Sequence, residues 1–115
     1  MYKKNGFDVY YAAMEFMRKN LFAKLKMEDV AVHCHISPSG LEKIFARYGH
    51  GSVMRSFLDM KLYYAAKKLE EGYTGKHMAE VLNFSSLAHF SAAFKQKHGV
   101  SPQKYKLEHI NKPMA

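Results

Sequence analysis

The segment "VAVHCHISPSGLEKIF" returns later in the chain as "MAEVLNFSSLAHFSAAF", displaced by about 48 residues. Ala31 aligns with Ala79, Cys34 with Leu82, Ile36 with Phe84 and Ser37 with Ser85. After one extra residue in the second copy, Leu41 aligns with Phe90 and Phe45 with Phe94. Each copy reads as a short helix, a tight turn anchored by one apolar residue, and a second helix opened by serine. Two copies of one such unit within 115 residues leave little chain for any other architecture.

The intervening sequence agrees. Phe7, Tyr10, Tyr11, Met14, Met17 and Leu21 recur at helical spacing, which predicts an amphipathic helix over 7–20 with these residues inward. "MEDVAVHC" predicts a second helix, with Glu28 and Asp29 in the first turn where the helix dipole favours acids. Ser37 followed by Pro38 is a strong start for a third, with Leu41, Ile44, Phe45 and Tyr48 facing the core. Ser52 caps a long helix over 53–71, stopped by Gly72. Thr74 opens a short helix, residues 86–98 form another, and "GVSPQKYK" closes with a turn and a short turn of helix. The expected fold is all-α, about seven helices. Two helix-turn-helix subdomains, 7–50 and 72–106, are joined by a linker helix over 52–71, and a flexible tail covers 107–115.

His33-Cys34-His35 invites a metal reading, which the repeat argues against. Consecutive residues at a helix end project about 100° apart and do not converge on one ion. Cys34 stands where the second copy has Leu82, a small buried hydrophobe's place. His35 stands where it has Asn83, at a turn position that tolerates a left-handed backbone. Neither metal nor other cofactor is implied. A cysteine–histidine catalytic pair fails on the same geometry, so no enzymatic activity is expected.

Charge bears on the functional class and leaves two readings open, a polyanion-binding domain and a soluble basic protein with no such partner. Lys and Arg number 18 against 10 Asp and Glu, a net charge of +8. The excess is even along the chain, with nine basic and five acidic residues in 1–57 and the same in 58–115. Such a balance suits a polyanionic partner, nucleic acid above all. No apolar run approaches the roughly 20 residues of a membrane span. The N-terminus lacks a secretory leader's apolar stretch, and the single cysteine fits a reducing cytoplasm.

Two helix-turn-helix units, a long connecting helix and the ending "FKQKHGVSPQKY" resemble the DNA-binding domain of the AraC family of bacterial transcription regulators. The resemblance rests on Ala31, Ser37, Leu41 and Phe45 in the first unit, and on Lys61, Leu62, Ala65 and Leu69 in the linker. In the second unit it rests on Met78-Ala79, Leu82, Phe84-Ser85, Phe90, Phe94-Lys95, Gly99, Ser101-Pro102 and Tyr105. Three positions depart from the family pattern: Asn83 and His50 stand where glycine is usual, and Gly75 where isoleucine is usual.

The resemblance implies sequence-specific binding to double-stranded promoter DNA, with two recognition helices in successive major grooves. A linker of about 19 residues spans about 28 Å, near the roughly 34 Å between such grooves. The family's base-contacting positions carry over to Ser39, Glu42 and Lys43 in the first unit, and to Leu87, Ala88 and Ala92 in the second. Lys43 suits guanine O6 or N7, and Glu42 suits cytosine N4. Phosphate contacts are expected from Arg47, Ser37, Ser85, Ser86, His89 and Lys95. The family further implies an activator more often than a repressor, contact with RNA polymerase, and an N-terminal sensor or dimerisation domain outside this chain. "MYKKNGFD" reads as the end of a linker from such a domain. The competing reading is a helical protein-interaction module whose charge is incidental. An RNA-binding helical domain is a further one.

Overall fold

The computed structural model describes residues 5–49 and 51–109, which form seven α-helices and no strand. They are α1 (Gly6–Lys19), α2 (Met27–His33), α3 (Pro38–Tyr48), α4 (Val53–Glu70), α5 (Gly75–Val81), α6 (Leu87–His98) and α7 (Pro102–His109). The chain divides into two compact units, Met1–Met60 and Lys61–Ala115, so each unit takes one part of α4. The linker is thus no separate body. Its two halves are built into the cores on either side.

Local chemistry fixes most helix starts. Asn5 caps α1 by accepting from the Asp8 amide at 2.8 Å, and Ser37 caps α3 by accepting from Gly40 at 3.1 Å. At α2 the roles reverse, and the Asp29 carboxylate accepts from the Lys26 amide at 2.8 Å. Thr74 and Ser86 cap α5 and α6 through the amides of His77 and His89. Gly99, at φ 85°, ends α6 in the left-handed conformation that glycine adopts without penalty.

In the first unit α1 lies against α2 and α3. Val9, Ala13, Met17, Val30, Ala31, Cys34, Leu41, Phe45, Val53 and Phe57 form the core. The fully inward residues of α1 are therefore Val9, Ala13 and Met17; of the expected set Met17 is buried, Tyr10, Met14 and Leu21 pack partly buried against the core, and two aromatics face out. Phe7 and Tyr11 are exposed, at 54% and 60%. The small Ala13 lets the helices approach closely, and the large rings go to the rim. There Phe7 meets Tyr48 edge-on, and Tyr10 packs on Phe45 with centroids 4.9 Å apart. Tyr48 is correspondingly part of this rim, not the core.

The second unit buries Leu62, Ala65, Ala66 and Leu69 of α4 with Met78, Ala79, Leu82, Phe90 and Phe94. Phe90 contacts both Phe84 and Phe94. Among the described residues the one buried charged side chain is here: Lys61, 8% exposed, donates from Nζ to the Leu82 carbonyl at 2.7 Å. Burial pulls its pKa below the ordinary lysine value.

The C-terminal end corrects the sequence reading. Instead of a short turn before a flexible tail, α7 continues to His109, so Leu107, Glu108 and His109 are helical. Tyr105 anchors it. Its hydroxyl donates to Glu70, its ring meets Phe94, and His109 stacks on it at 3.9 Å while donating from Nδ1 to the Tyr105 carbonyl. His50 and residues 110–115 lie outside the described residues, as does the "MYKK" of the expected linker end.

Candidate nucleic-acid interface

Both copies of the repeated unit close their turns with the same hydrogen bonds. Ile36 N donates to Ala31 O at 3.1 Å and Phe84 N to Ala79 O at 2.9 Å. His35 N donates to Val32 O, and Asn83 N to Glu80 O. This paired closure requires a left-handed residue just past the helix, and His35 (φ 56°) and Asn83 (φ 61°) adopt it. Ile36 and Phe84 then turn inward as the apolar anchors of the two turns.

The structure shifts one detail of the alignment. The serines that cap α3 and α6 are Ser37 and Ser86, each with its hydroxyl oxygen on the third amide of its helix. Ser85 is the extra residue. Its Oγ instead shares a hydrogen bond with His89 Nδ1 at 3.0 Å. With Ser37 on Ser86, Leu41 still falls on Phe90 and Phe45 on Phe94. Ser39 falls on Ala88, Glu42 on Ser91 and Lys43 on Ala92.

On α3, Leu41 and Phe45 are fully buried, and Ser39, Glu42, Lys43, Ala46 and Arg47 are exposed. Among the described residues Lys43 has no carboxylate partner. The Arg47 guanidinium lies 5.5 Å over the Tyr48 ring. Glu42 is the exception: its Oε1 accepts from the Val53 amide at 3.1 Å. On α6, Leu87, Ala88, His89, Ala92 and Lys95 are exposed and Ser91 half-buried. The two exposed faces are chemically unequal, since α3 offers the Ser39 hydroxyl and the Lys43 ammonium where α6 has Ala88 and Ala92.

Of the expected phosphate-binding residues, Ser37 and Ser86 are exposed caps, and the Ser37 hydroxyl also shares a 3.4 Å hydrogen bond with that of Ser39. Ser85 and His89 are coupled to each other, and Lys95 carries an exposed cation. Lys76, not among the residues expected from sequence, lines a shallow groove of about 270 Å³ with Ser85, Ser86 and Leu87 at the start of α6. Its signal was its place in the first turn of α5, ahead of the turn.

Among the described residues no group of three or more His, Cys, Asp or Glu side chains is placed to hold a metal ion. His33 stacks on Phe16 at 4.1 Å, Cys34 is buried and His35 occupies the turn. Among the same residues no helix is long and apolar enough to cross a membrane.

Comparison with known proteins agrees with this architecture. A family model described as a helix-turn-helix domain matches residues 30–108. The HTH-type transcriptional regulator GbdR of Pseudomonas aeruginosa strain UCBPP-PA14 is 30% identical over 88 residues, 76% of this chain and 24% of that protein. The chain thus spans about a quarter of that relative's length. A transcriptional regulator from Chromobacterium violaceum, described as of AraC-type DNA-binding domain, superposes with a TM-score of 0.85 at 21% identity, covering 91% of this chain and 95% of that one. The DNA-binding domain of AdpA, solved with a target DNA, does so with a TM-score of 0.73 at 18% identity, covering 92% and 93%. With the family match spanning both repeated units and the same fold recurring in these relatives, the chain belongs to the AraC family of helix-turn-helix, DNA-binding transcription regulators.

Proposed function

We propose that the chain reads double-stranded promoter DNA through two unequal helices, α3 specifying most of the sequence and α6 mainly anchoring the duplex. The observation that carries this is the chemistry of the two exposed faces. Lys43 has free donors for guanine O6 or N7, and Ser39 on the same helix face has a hydroxyl. Leu87, Ala88 and Ala92 offer side-chain contact only to thymine methyls or to groove shape. Arg47, Lys95, His89 with Ser85 behind it, and the hydroxyls of Ser37 and Ser86 serve the phosphates, joined by Lys76. The sequence-independent part of affinity then comes from the +8 net charge.

As part of a regulator, the chain would act in the cytoplasm as an activator. It would meet RNA polymerase at the promoter and answer to a sensor or dimerisation domain outside the sequence. Binding, not catalysis, is its proposed activity.

Selection of bound duplexes from a random library tests the reading. A motif with one sharp half and a weak half about one helical turn away is expected. Lys43→Ala should relax the sharp half, whereas Lys95→Ala should weaken all sequences alike and lower the salt slope by about one. Two equally sharp halves would overturn the inequality. Binding insensitive to salt would favour a protein-interaction module instead.

A further inference from the structure

The repeat extends further than the two helix-turn-helix segments. Ser52 follows Phe45 by the same seven positions as Ser101 follows Phe94. Each serine caps the next helix. Ser52 Oγ accepts from the Arg55 amide at 3.1 Å, and Ser101 Oγ from the Lys104 amide at 3.2 Å. The backbone carbonyls of the two serines likewise accept from Ser56 and Tyr105. The first helical residue is Val53 in one copy and Pro102 in the other, both buried.

That difference has a chemical consequence. Proline at the first helical position has no N–H to satisfy, whereas valine does. Val53 is 0% exposed, and a buried amide without an acceptor is costly. Glu42 supplies that acceptor from α3, with Oε1 3.1 Å from the Val53 nitrogen. Its counterpart in the second copy is Ser91, where the first helical residue, Pro102, has no N–H to satisfy. The first turn of α4 also contains no acidic residue, so the carboxylate at its positive end comes from another helix.

We infer that Glu42 is a positioning residue. It pins the recognition helix α3 to the start of α4 through the Val53 amide and does not read cytosine. This rests on the reading of α3 as the DNA-contacting helix. The carboxylate sits on that helix's exposed side, so it fixes α3 while setting one negative charge toward the duplex.

The test compares four variants by thermal unfolding and by selection of bound duplexes: Glu42→Ala, Glu42→Gln, Val53→Pro, and Glu42→Ala combined with Val53→Pro. Glu42→Ala should lower Tm by about 5 °C in the natural background. It should lower Tm far less in the Val53→Pro background, where no amide is left to satisfy. Glu42→Gln keeps an acceptor oxygen, so Tm and base preference should hold while every duplex binds somewhat tighter. Equal Tm losses in both backgrounds would overturn the inference. So would a Glu42→Gln chain of unchanged Tm that has lost preference at one base pair. If Val53→Pro does not fold, the Glu42→Ala and Glu42→Gln pair decides alone, equal melting of the two counting against the inference. Absence of DNA binding by the natural chain would strike the role of α3 and leave the melting comparison to judge Glu42.

Discussion

Ser85 Oγ lies 3.0 Å from Nδ1 of His89, and the His89 ring meets Phe84 edge-on at 5.3 Å, so the imidazole is held from two sides. When the hydroxyl donates to Nδ1, the ring proton sits on Nε2, which is then the donor available to DNA. His89 and Ser85 should therefore act as one unit. His89→Ala is expected to weaken binding to all duplexes by about 1 kcal/mol, without changing the selected motif. Ser85→Ala should lose part of this, and the double variant little more than His89→Ala. Affinities for a fixed duplex complete the cycle. Additive losses would mean that Ser85 meets a phosphate independently.

Two glycines should respond in opposite directions to the same substitution. At Gly75 a Cβ would meet Pro102, Phe90 and Leu87 at 3.5–3.9 Å, ordinary contact distances, and no positive φ is required. Gly75→Ala is expected to stabilise by about 0.5–1 kcal/mol, from a less flexible unfolded chain and added apolar contact. Gly99 has open space within 4 Å but sits at φ 85°. There alanine should cost about 1 kcal/mol through the backbone alone. Urea unfolding of both variants checks the pair.

Cys34 should behave as a hydrophobe and nothing else. It is buried in the core of the first unit, in the place that Leu82 takes in the second. Cys34→Ala is expected to cost about 1 kcal/mol, and Cys34→Ser more, because a hydroxyl replaces a weakly polar thiol in an apolar site. Chelator should leave the melting temperature of the natural chain unchanged. A Tm that falls with chelator and recovers with zinc would reinstate His33, Cys34 and His35 as ligands.

What the sequence made legible was whatever depended on local chemistry. Ser37-Pro38 placed the start of α3, Thr74 the start of α5, and the repeat identified His35 and Asn83 as left-handed turn residues. Choices that tertiary packing makes were not legible. Helical spacing put Phe7 and Tyr11 inward with Met17 on α1, and only the shape of α2 and α3 selects Val9 and Ala13 in place of those two rings. A lysine in a helix reads as solvent-facing, yet Lys61 is buried with its ammonium on the Leu82 carbonyl. The same limit holds at the site. Exposure of Lys43 follows from spacing along α3, but the bond from Val53 to Glu42 joins residues on different helices. It becomes visible only when Val53 is compared with Pro102.

The anchor of α7 should also make stability fall in strong alkali. The Tyr105 pKa is pushed up to about 12, chiefly by burial and then by the hydrogen bond to Glu70. A folded-state value above the ordinary tyrosine value of 10.0 means that the protonated phenol is the stabilised form. Its contribution is complete below pH 10 and is lost as pH rises through about 12. Tyr105→Phe keeps the ring that packs on Phe94 and His109 but removes the donor to Glu70. It is expected to cost about 1 kcal/mol at about pH 8. The gap between the two proteins should then close between pH 10 and 12. The two proteins differ only at this phenol, so unfolding free energies measured side by side across that range isolate Tyr105. A gap that stays constant with pH would show that the phenol contributes by packing and not through its proton.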